Sequence, residues 1–191
     1  MLARPTAIAA ASGHAVGRGV VGGGRGLAVA VLAALVAGAV AITVNILMLD
    51  GLDAAGIVTA RGGLQKLVRT WLSVPLTRAG ANDAWLSLGL PGPDAPLFKT
   101  GFKVAVGLLM ALAYALLLEP VLRGNWLRKG LVAAIPFWLL NALAVLPLLG
   151  EGVAGVRTLT PVGLLSYAVA HTLFFVVLAT VYDRLLHQRR G

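Results

Sequence analysis

Residues 27–49, LAVAVLAALVAGAVAITVNILML, run for 23 residues without a charged side chain, between Arg25 and Asp50. A helix needs about 20 apolar residues to cross about 30 Å of hydrocarbon, so this stretch is long enough to span a membrane. Three further apolar stretches, at about 98–118, 130–149 and 161–182, have a similar length. Because they are continuously apolar and do not alternate as the strands of a membrane barrel do, the sequence predicts four transmembrane helices.

The composition points to the same class of protein. Of the 191 residues, 59% are hydrophobic and 12% are charged, whereas soluble domains average about 25% charged residues. The mean hydropathy is +0.89. The sequence contains no cysteine, which excludes disulfides and thiolate metal sites. We therefore expect an all-α integral membrane protein that folds as a four-helix bundle.

The positive charge of the chain has a distribution that predicts topology. A formal net charge of +9 would point to nucleic acid in a soluble protein. With a cytoplasmic N-terminus, however, the inner segments carry nine Lys and Arg against two acids, and the outer segments carry seven against five. Short cytoplasmic loops are enriched in Lys and Arg, so the basic turn at 123–129 indicates that both termini are cytoplasmic. We expect a lipid bilayer as partner, and no nucleic acid.

The segment before the first span is rich in Gly and Ala and carries scattered arginines. We expect residues 1–26 to form a flexible basic cytoplasmic tail, followed by a single membrane domain over 27–191. A cleavable signal peptide is the alternative for the first span, with Ala39-Val-Ala41 as the small-residue cleavage site. The long preceding segment and the continuation of the apolar run to Leu49 favour the span.

The connection between the first two spans, 50–97, contains an amphipathic stretch. One apolar stripe recurs with helical spacing and consists of Leu64, Leu67, Val68, Trp71 and Leu72. Basic and polar residues occupy the other face, and Pro75 is expected to end the helix at Val74. The pattern predicts an interfacial helix on the outer leaflet, with a docking helix or a lid over a cavity as alternatives. Asn82 is expected to cap a second short helix.

Small residues at four-residue spacing allow helix backbones to approach closely. The first span carries two such ridges, Gly22, Gly26, Ala30, Ala34 and Gly38, and beside them Ala33, Ala37 and Ala41. The second span carries a third ridge, Gly107, Ala111 and Ala115. These ridges predict tight packing of the first two spans, either with each other or against another protein.

Polar side chains at membrane depth are costly, which makes them the candidate functional residues. The main ones are Asn45, Tyr114, Asn141 and His171. Asn141 and His171 lie at similar depth in the third and fourth spans, so we expect a hydrogen bond between them that satisfies both side chains. Met110 is the available soft partner if His171 were to bind haem. One His and one Met make a weak ligand set, so no cofactor and no metal site is predicted.

Several stretches of the second half of the chain resemble a group of known proteins. They are Lys99–Pro120, Phe137–Asn141, Leu146–Gly152 and Ala170–Phe175. They are similar to small four-span bacterial inner-membrane proteins of uncharacterised function. The resemblance implies a four-helix membrane bundle in a bacterial inner membrane and supplies no site residues.

The sequence contains no catalytic motif, because zinc-protease, serine-hydrolase and phosphate-loop patterns are all missing. We therefore expect a non-enzymatic accessory or assembly subunit of a larger membrane complex, in contact with other membrane proteins or a second copy of itself. One alternative is a small transporter or channel with a polar path near Asn141 and His171, which Tyr114 would also line. The other is a haem- or pigment-binding membrane protein.

Overall fold

The computed structural model describes residues 24–60, 62–92 and 94–187, of which no residue lies in a β-strand. The helices are α1 (Gly24–Ala54), α2 (Gly63–Arg78), α3 (Ala81–Ser87), α4 (Pro96–Ala113), α5 (Trp126–Leu140) and α6 (Pro161–His187). A π-helical turn, Tyr114–Leu118, continues α4; a second, Asn141–Val145, continues α5 and leads into a last α-helical turn, Leu146–Leu148. The predicted flexible tail lies almost entirely outside the described residues.

Four helical segments are long and apolar enough to cross a membrane: Gly26–Ala54, Pro96–Leu118, Trp126–Leu148 and Pro161–Leu186. The predicted all-α four-helix bundle is therefore confirmed. Most of the helices extend a few residues beyond the predicted apolar stretches. Hydropathy marks the part of a helix that matches hydrocarbon, whereas the backbone hydrogen bonds continue into the flanking polar residues.

The four spans are arranged with α1 and α6 at the centre. Helix α1 packs against both α4 and α6, and α6 packs against both α1 and α5. Successive spans alternate in direction, so α2 and α3 lie at one end of the bundle and the loop 119–125 lies at the other. We call these the α2 end and the short-loop end. Gly24 and His187, the two limits of the bundle, are both at the short-loop end.

The small-residue ridges are used inside the chain. A Cβ atom on Gly38 would lie 2.6 Å from the Cβ of Ala111, and one on Gly107 would lie 2.8 Å from Cγ1 of Ile42. Ala34 and Ala37 on α1 are fully buried. The predicted close packing of the first two spans is thus confirmed, and it occurs within this chain; Gly22 lies outside the described residues.

Helices α5 and α6 also approach closely at the short-loop end. A Cβ atom on Gly130 would lie 2.7 Å from the Cα of Val176, which leaves no room for a side chain. The Lys129 ammonium donates a hydrogen bond to the Glu119 carboxylate at 2.7 Å, which ties the end of α4 to the beginning of α5. The loop 119–125 is therefore restrained by the ion pair between its two flanking helices and by the close packing of α5 on α6.

Helix α2 passes through Pro75 and ends at Arg78, so the prediction that it ends at Val74 was wrong. Proline removes one backbone donor and disfavours, without forbidding, a helical conformation at the residue before it. Residues 71–79 are all exposed, so the carbonyl that loses its partner at Pro75 can bind water or a lipid headgroup.

Helix α3 begins at Ala81, with Gly80 in the N-cap position, so Asn82 lies inside the helix and the predicted Asn82 cap was wrong. Gly80 adopts a left-handed conformation with φ of 69°, and its N–H donates to the carbonyl of Thr77. Glycine adopts that conformation without the steric cost that a side chain carries. Gly80 therefore forms the junction between the end of α2 and the beginning of α3.

Candidate functional site: a cavity at the α2 end

A cavity of about 420 Å³ occupies the half of the bundle nearest α2, a volume typical of small-molecule sites. Helices α1 and α6 form its back wall, and α4 and α5 form its sides. The first residues of α2, Gly62–Gln65, form its roof. Most of the lining side chains are apolar, among them Ile42, Phe102, Phe137 and Phe174.

The cavity opens sideways between α4 and α5. In the described part of the chain these two helices do not pack along their lengths, because each lies against a different central helix. The rim residues Leu109 and Leu140, one on each side, are 65% and 59% exposed. Both belong to membrane-spanning segments, so their exposed surfaces face hydrocarbon. The opening therefore leads to the lipid, while α2 covers the side nearest water.

Asn141 and His171 form the polar centre of the cavity wall. The Asn141 side-chain amide nitrogen lies 3.3 Å from His171 Nε2, so the hydrogen bond predicted from the sequence is confirmed. Asn141 is the first residue of the π-helical turn after α5. Such turns interrupt the regular helix and are frequent at functional sites. Tyr167 packs edge-to-face against the His171 ring, with the ring centroids 4.5 Å apart.

The hydrogen bond leaves half of this pair without a partner. Asn141 Oδ1 is buried and has no hydrogen-bond partner among the described residues. His171 Nδ1 is also buried, and beside it lies the backbone carbonyl of Tyr167, one turn earlier in α6, in a geometry too poor for a full hydrogen bond. The sequence led us to expect that the contact would satisfy both side chains, and that expectation was wrong. The reason is geometric: each side chain has two polar atoms, and a single contact uses one from each.

Asn45 also lies on the cavity wall, but its contact is with a different partner. Its amide nitrogen donates to the backbone carbonyl of Ala170 at 2.9 Å, which ties α1 to α6. Three of the four polar candidates, Asn45, Asn141 and His171, thus lie around one cavity.

Tyr114 lies away from the cavity. It is fully buried in the short-loop half, where its ring packs edge-to-face against Tyr182 with a centroid distance of 5.9 Å. The predicted path that would include Tyr114 together with Asn141 and His171 is therefore not assembled around this cavity.

The lining residues do not form a haem or metal site. Met110 and His171 both line the cavity, but His171 Nε2 is bonded to Asn141 and its Nδ1 is buried. His171 is the one histidine among the described lining residues and its Nε2 is engaged by Asn141, so the geometry gives the haem hypothesis no support. Across residues 24–60, 62–92 and 94–187, no three His, Asp or Glu side chains lie close enough together to hold a metal ion.

The amphipathic stripe of α2 divides between two surroundings. Leu64 forms part of the cavity roof, Leu67 and Val68 are partly buried, and Trp71 and Leu72 are exposed. The first turn of α2 therefore covers the cavity, as the lid alternative predicts, and the rest has the exposed apolar face of an interfacial helix.

Two contacts hold α2 to the segment after α5. Lys66 Nζ lies 3.3 Å from Glu151 Oε1, and Trp71 Nε1 donates to the carbonyl of Leu148 at a long 3.4 Å. The Lys66 side chain is largely exposed, and such ion pairs contribute little stability. The roof of the cavity is therefore weakly attached to the bundle.

Sequence reasoning missed the cavity and the residues that open it. Leu109 and Leu140 look like any lipid-facing leucines, and no pattern in the sequence marks a π-helical turn. The available signal is the pair Pro136 and Pro147, which bracket the turn Asn141–Val145. Prolines in a membrane helix release carbonyls and disturb regular packing, which can shape a cavity.

Comparison with known proteins gave no match: no protein-family model, no curated protein and no solved structure matches this chain. The function is therefore argued from the geometry of the cavity.

Proposed function

We propose that this chain is a non-enzymatic integral membrane protein that binds a lipophilic small molecule taken from the bilayer. The observation that carries the proposal is the 420 Å³ cavity, which opens to hydrocarbon between α4 and α5 and is roofed by α2. Because the opening lies in the lipid-facing surface, a ligand reaches the cavity from the membrane and does not have to cross water. Apolar walls accept its hydrocarbon part, and the polar centre at Asn141 and His171 gives it a fixed orientation.

Transport through the bundle has less support than binding. The cavity lies mainly in the α2 half and reaches Ala113, Phe137 and Phe174 near the middle of the bundle. Beyond it the rings of Tyr114 and Tyr182 pack against each other. A transport function would require this packed half to open as well. We therefore place binding first and treat movement of the ligand across the bilayer as a separate hypothesis.

The accessory-subunit hypothesis has a different support from the one that the sequence offered. From Ala33 to Ala41 on α1, and from Gly107 to Ala115 on the second span, the small residues of the ridges are buried within the chain, so they are not free to bind a partner. The second half of α2 and all of α3 carry exposed apolar side chains, including Trp85, Leu86 and Leu88. This surface fits either the headgroup region or a membrane protein partner. Affinity purification of the intact chain, with and without Leu86→Ser and Leu88→Ser, would test the partner hypothesis.

We also propose a bacterial inner membrane with both termini in the cytoplasm. The support is the basic short loop, which contains Arg123, Arg128 and Lys129 at the same end as both limits of the bundle. In this orientation, α2 and the roof of the cavity lie on the outer side. Labelling of single cysteines introduced at Arg123 and Ser87 would test the assignment.

The binding function is tested with two variants that place the same side chain on different faces of α4, one toward the cavity and one toward the lipid. Val106 lines the cavity, whereas its neighbour Ala105 is exposed on the lipid side. We expect Val106→Phe to fill the cavity and Ala105→Phe to leave it open. The protein is excised with its native lipid by a polymer, and the lipophilic molecules that accompany it are measured by mass spectrometry.

The expected result is one molecule enriched over the bulk lipid in the wild type and in Ala105→Phe. In Val106→Phe its amount should fall at least about tenfold, which corresponds to about 1.4 kcal/mol of binding free energy. The same lipid composition in all three samples would contradict the proposal.

A further inference from the structure

We infer that the cavity recognises an uncharged head group that carries a carbonyl or hydroxyl oxygen, and that the Asn141–His171 pair is the recognition element. This inference rests on the proposed binding function and specifies the chemistry of the ligand. It starts from Asn141 Oδ1, which is buried without a partner among the described residues, and from His171 Nδ1, whose only given contact is a weak one with the Tyr167 carbonyl. A buried polar atom without a partner is rare in a native protein and marks the place of a missing water, ion or ligand.

The pair offers one donor and one acceptor whichever way its protons are arranged. If the Asn141 amide donates to Nε2, the neutral imidazole carries its proton on Nδ1, so Nδ1 is the remaining donor and Oδ1 the remaining acceptor. If the amide is turned over, its oxygen accepts from Nε2–H, which leaves the amide NH₂ as donor and Nδ1 as acceptor. The two remaining groups lie on opposite sides of the imidazole ring, so one ligand oxygen bonds to one of them. A hydroxyl group can fill either role, and a carbonyl group can fill only the role that the donor requires.

The ligand can reach the pair without movement of the backbone. Both atoms are covered by neighbouring groups, and Asn141 Oδ1 lies 3.7 Å from the position that a Cβ atom on Gly63 would take, in the first turn of the α2 roof. The existing contact of 3.3 Å is longer than the usual 2.9–3.0 Å of a strong hydrogen bond. The last torsion of an asparagine side chain is broad. Rotation of the amide therefore exchanges a weak internal hydrogen bond for bonds to a ligand oxygen in the cavity.

The surroundings of the pair select against a charged head group. Of the cavity-lining residues that the structure describes, Lys103 alone carries a fixed charge, and it belongs to the first turns of α4. His171 lies ten residues into α6, deeper in the bundle. An ionised head group beside His171 would be buried in hydrocarbon without a counter-ion, at a large cost. A neutral oxygen meets no such cost.

The test compares probes that share a chain and differ in the head group. Binding of radiolabelled dodecan-1-ol, dodecane and dodecanoate, and of a decyl-substituted benzoquinone, is measured to the full chain in nanodiscs, with empty nanodiscs of the same lipid subtracted. The double variant Asn141→Leu/His171→Phe removes both polar groups with little change of shape, so it is expected to fold. Val106→Phe serves as the blocked cavity.

We expect the wild type to bind dodecan-1-ol about tenfold more tightly than dodecane, the factor given by one additional hydrogen bond. In the double variant the two affinities should become equal. A preference that persists in the double variant, equal affinities in the wild type, or tighter binding of dodecanoate than of dodecan-1-ol would each overturn the inference. The head-group oxygen could belong to a quinone carbonyl or to a lipid hydroxyl, and the benzoquinone probe distinguishes these two sources. An affinity above that of dodecan-1-ol identifies a quinone head group, and one below it identifies a lipid hydroxyl.

The outcomes also separate this inference from the proposed function. If dodecane and dodecan-1-ol bind equally to the wild type and neither binds to Val106→Phe, the cavity binds lipophilic molecules but does not discriminate between head groups. If Val106→Phe binds all the probes as the wild type does, the cavity is not the binding site, and both proposals fail.

Discussion

The two halves of the bundle are built on different packing principles. In the short-loop half, aromatic rings and a glycine contact fill the space: Phe175 and Tyr114 are almost completely buried, and Tyr114 packs edge-to-face against Tyr182 with the ring centroids 5.9 Å apart. In the α2 half, α4 and α5 diverge, and a cavity of about 420 Å³ lies between them. The same four helices therefore provide a closed scaffold at one end and an open site at the other.

This contrast explains how a small membrane protein can keep a cavity. Without a hydrophobic effect between apolar helices in lipid, the association of spans depends on close packing and on polar contacts. The short-loop half supplies both through Gly130 and the Lys129–Glu119 ion pair. The α2 half can then remain open because the other half holds the helices together.

The sharpest test of this contrast compares two phenylalanines. Phe175→Ala should lower the free energy of unfolding by about 3–5 kcal/mol, because it empties a fully buried position. Phe102→Ala, on the cavity wall, should cost about 1 kcal/mol, since the position is only partly buried and faces space that is already open. Thermal unfolding in nanodiscs measures both. Equal losses would show that the two halves contribute alike to stability.

Two glycines extend the comparison to the backbone. Gly130→Ala should destabilise by about 1–3 kcal/mol, because the new methyl group would meet the α6 backbone at 2.7 Å. Gly63→Ala, in the roof, should be neutral or slightly stabilising, since its nearest neighbour would be Val145 Cγ1 at an ordinary 3.5 Å. Unfolding temperatures measured side by side check this. A Gly63→Ala loss as large as that of Gly130→Ala would contradict it.

The two ion pairs should show the smallest difference. Glu119→Gln removes the partner of Lys129, and because both side chains are largely buried we expect a loss of about 1–2 kcal/mol. Lys66→Gln breaks the contact with Glu151 and should cost less than about 1 kcal/mol, because Lys66 is mostly exposed. Raising the salt concentration should weaken only the second contact. Denaturant titration at two ionic strengths measures both effects, and a salt-sensitive Lys129–Glu119 contact would contradict the assignment.

The fold was largely predictable, whereas the site was predictable only in part. Continuous apolar runs specify spans because lipid leaves a helix as the simplest way to satisfy the backbone. The contact between Asn141 and His171 followed from equal depth on successive antiparallel spans. Tyr114 was placed on the same path because it is one of the few polar side chains inside a span, although the sequence puts it nearer the inner surface. Residue spacing does not tell which polar side chains face the same cavity. The predicted end of α2 at Val74 was wrong for a different reason, since proline disfavours a helical conformation at the preceding residue without excluding it.

The sequence by itself determined that this chain has four spans, a basic short loop and a few costly polar groups, because hydropathy and charge act residue by residue. Only the tertiary structure decided that α4 and α5 lie apart on either side of α1 and α6, and that Leu109 and Leu140 flank an opening. The reason is that a cavity exists where packing stops. The end of packing depends on the distance between helices that are far apart in the chain, and local sequence patterns do not encode that distance.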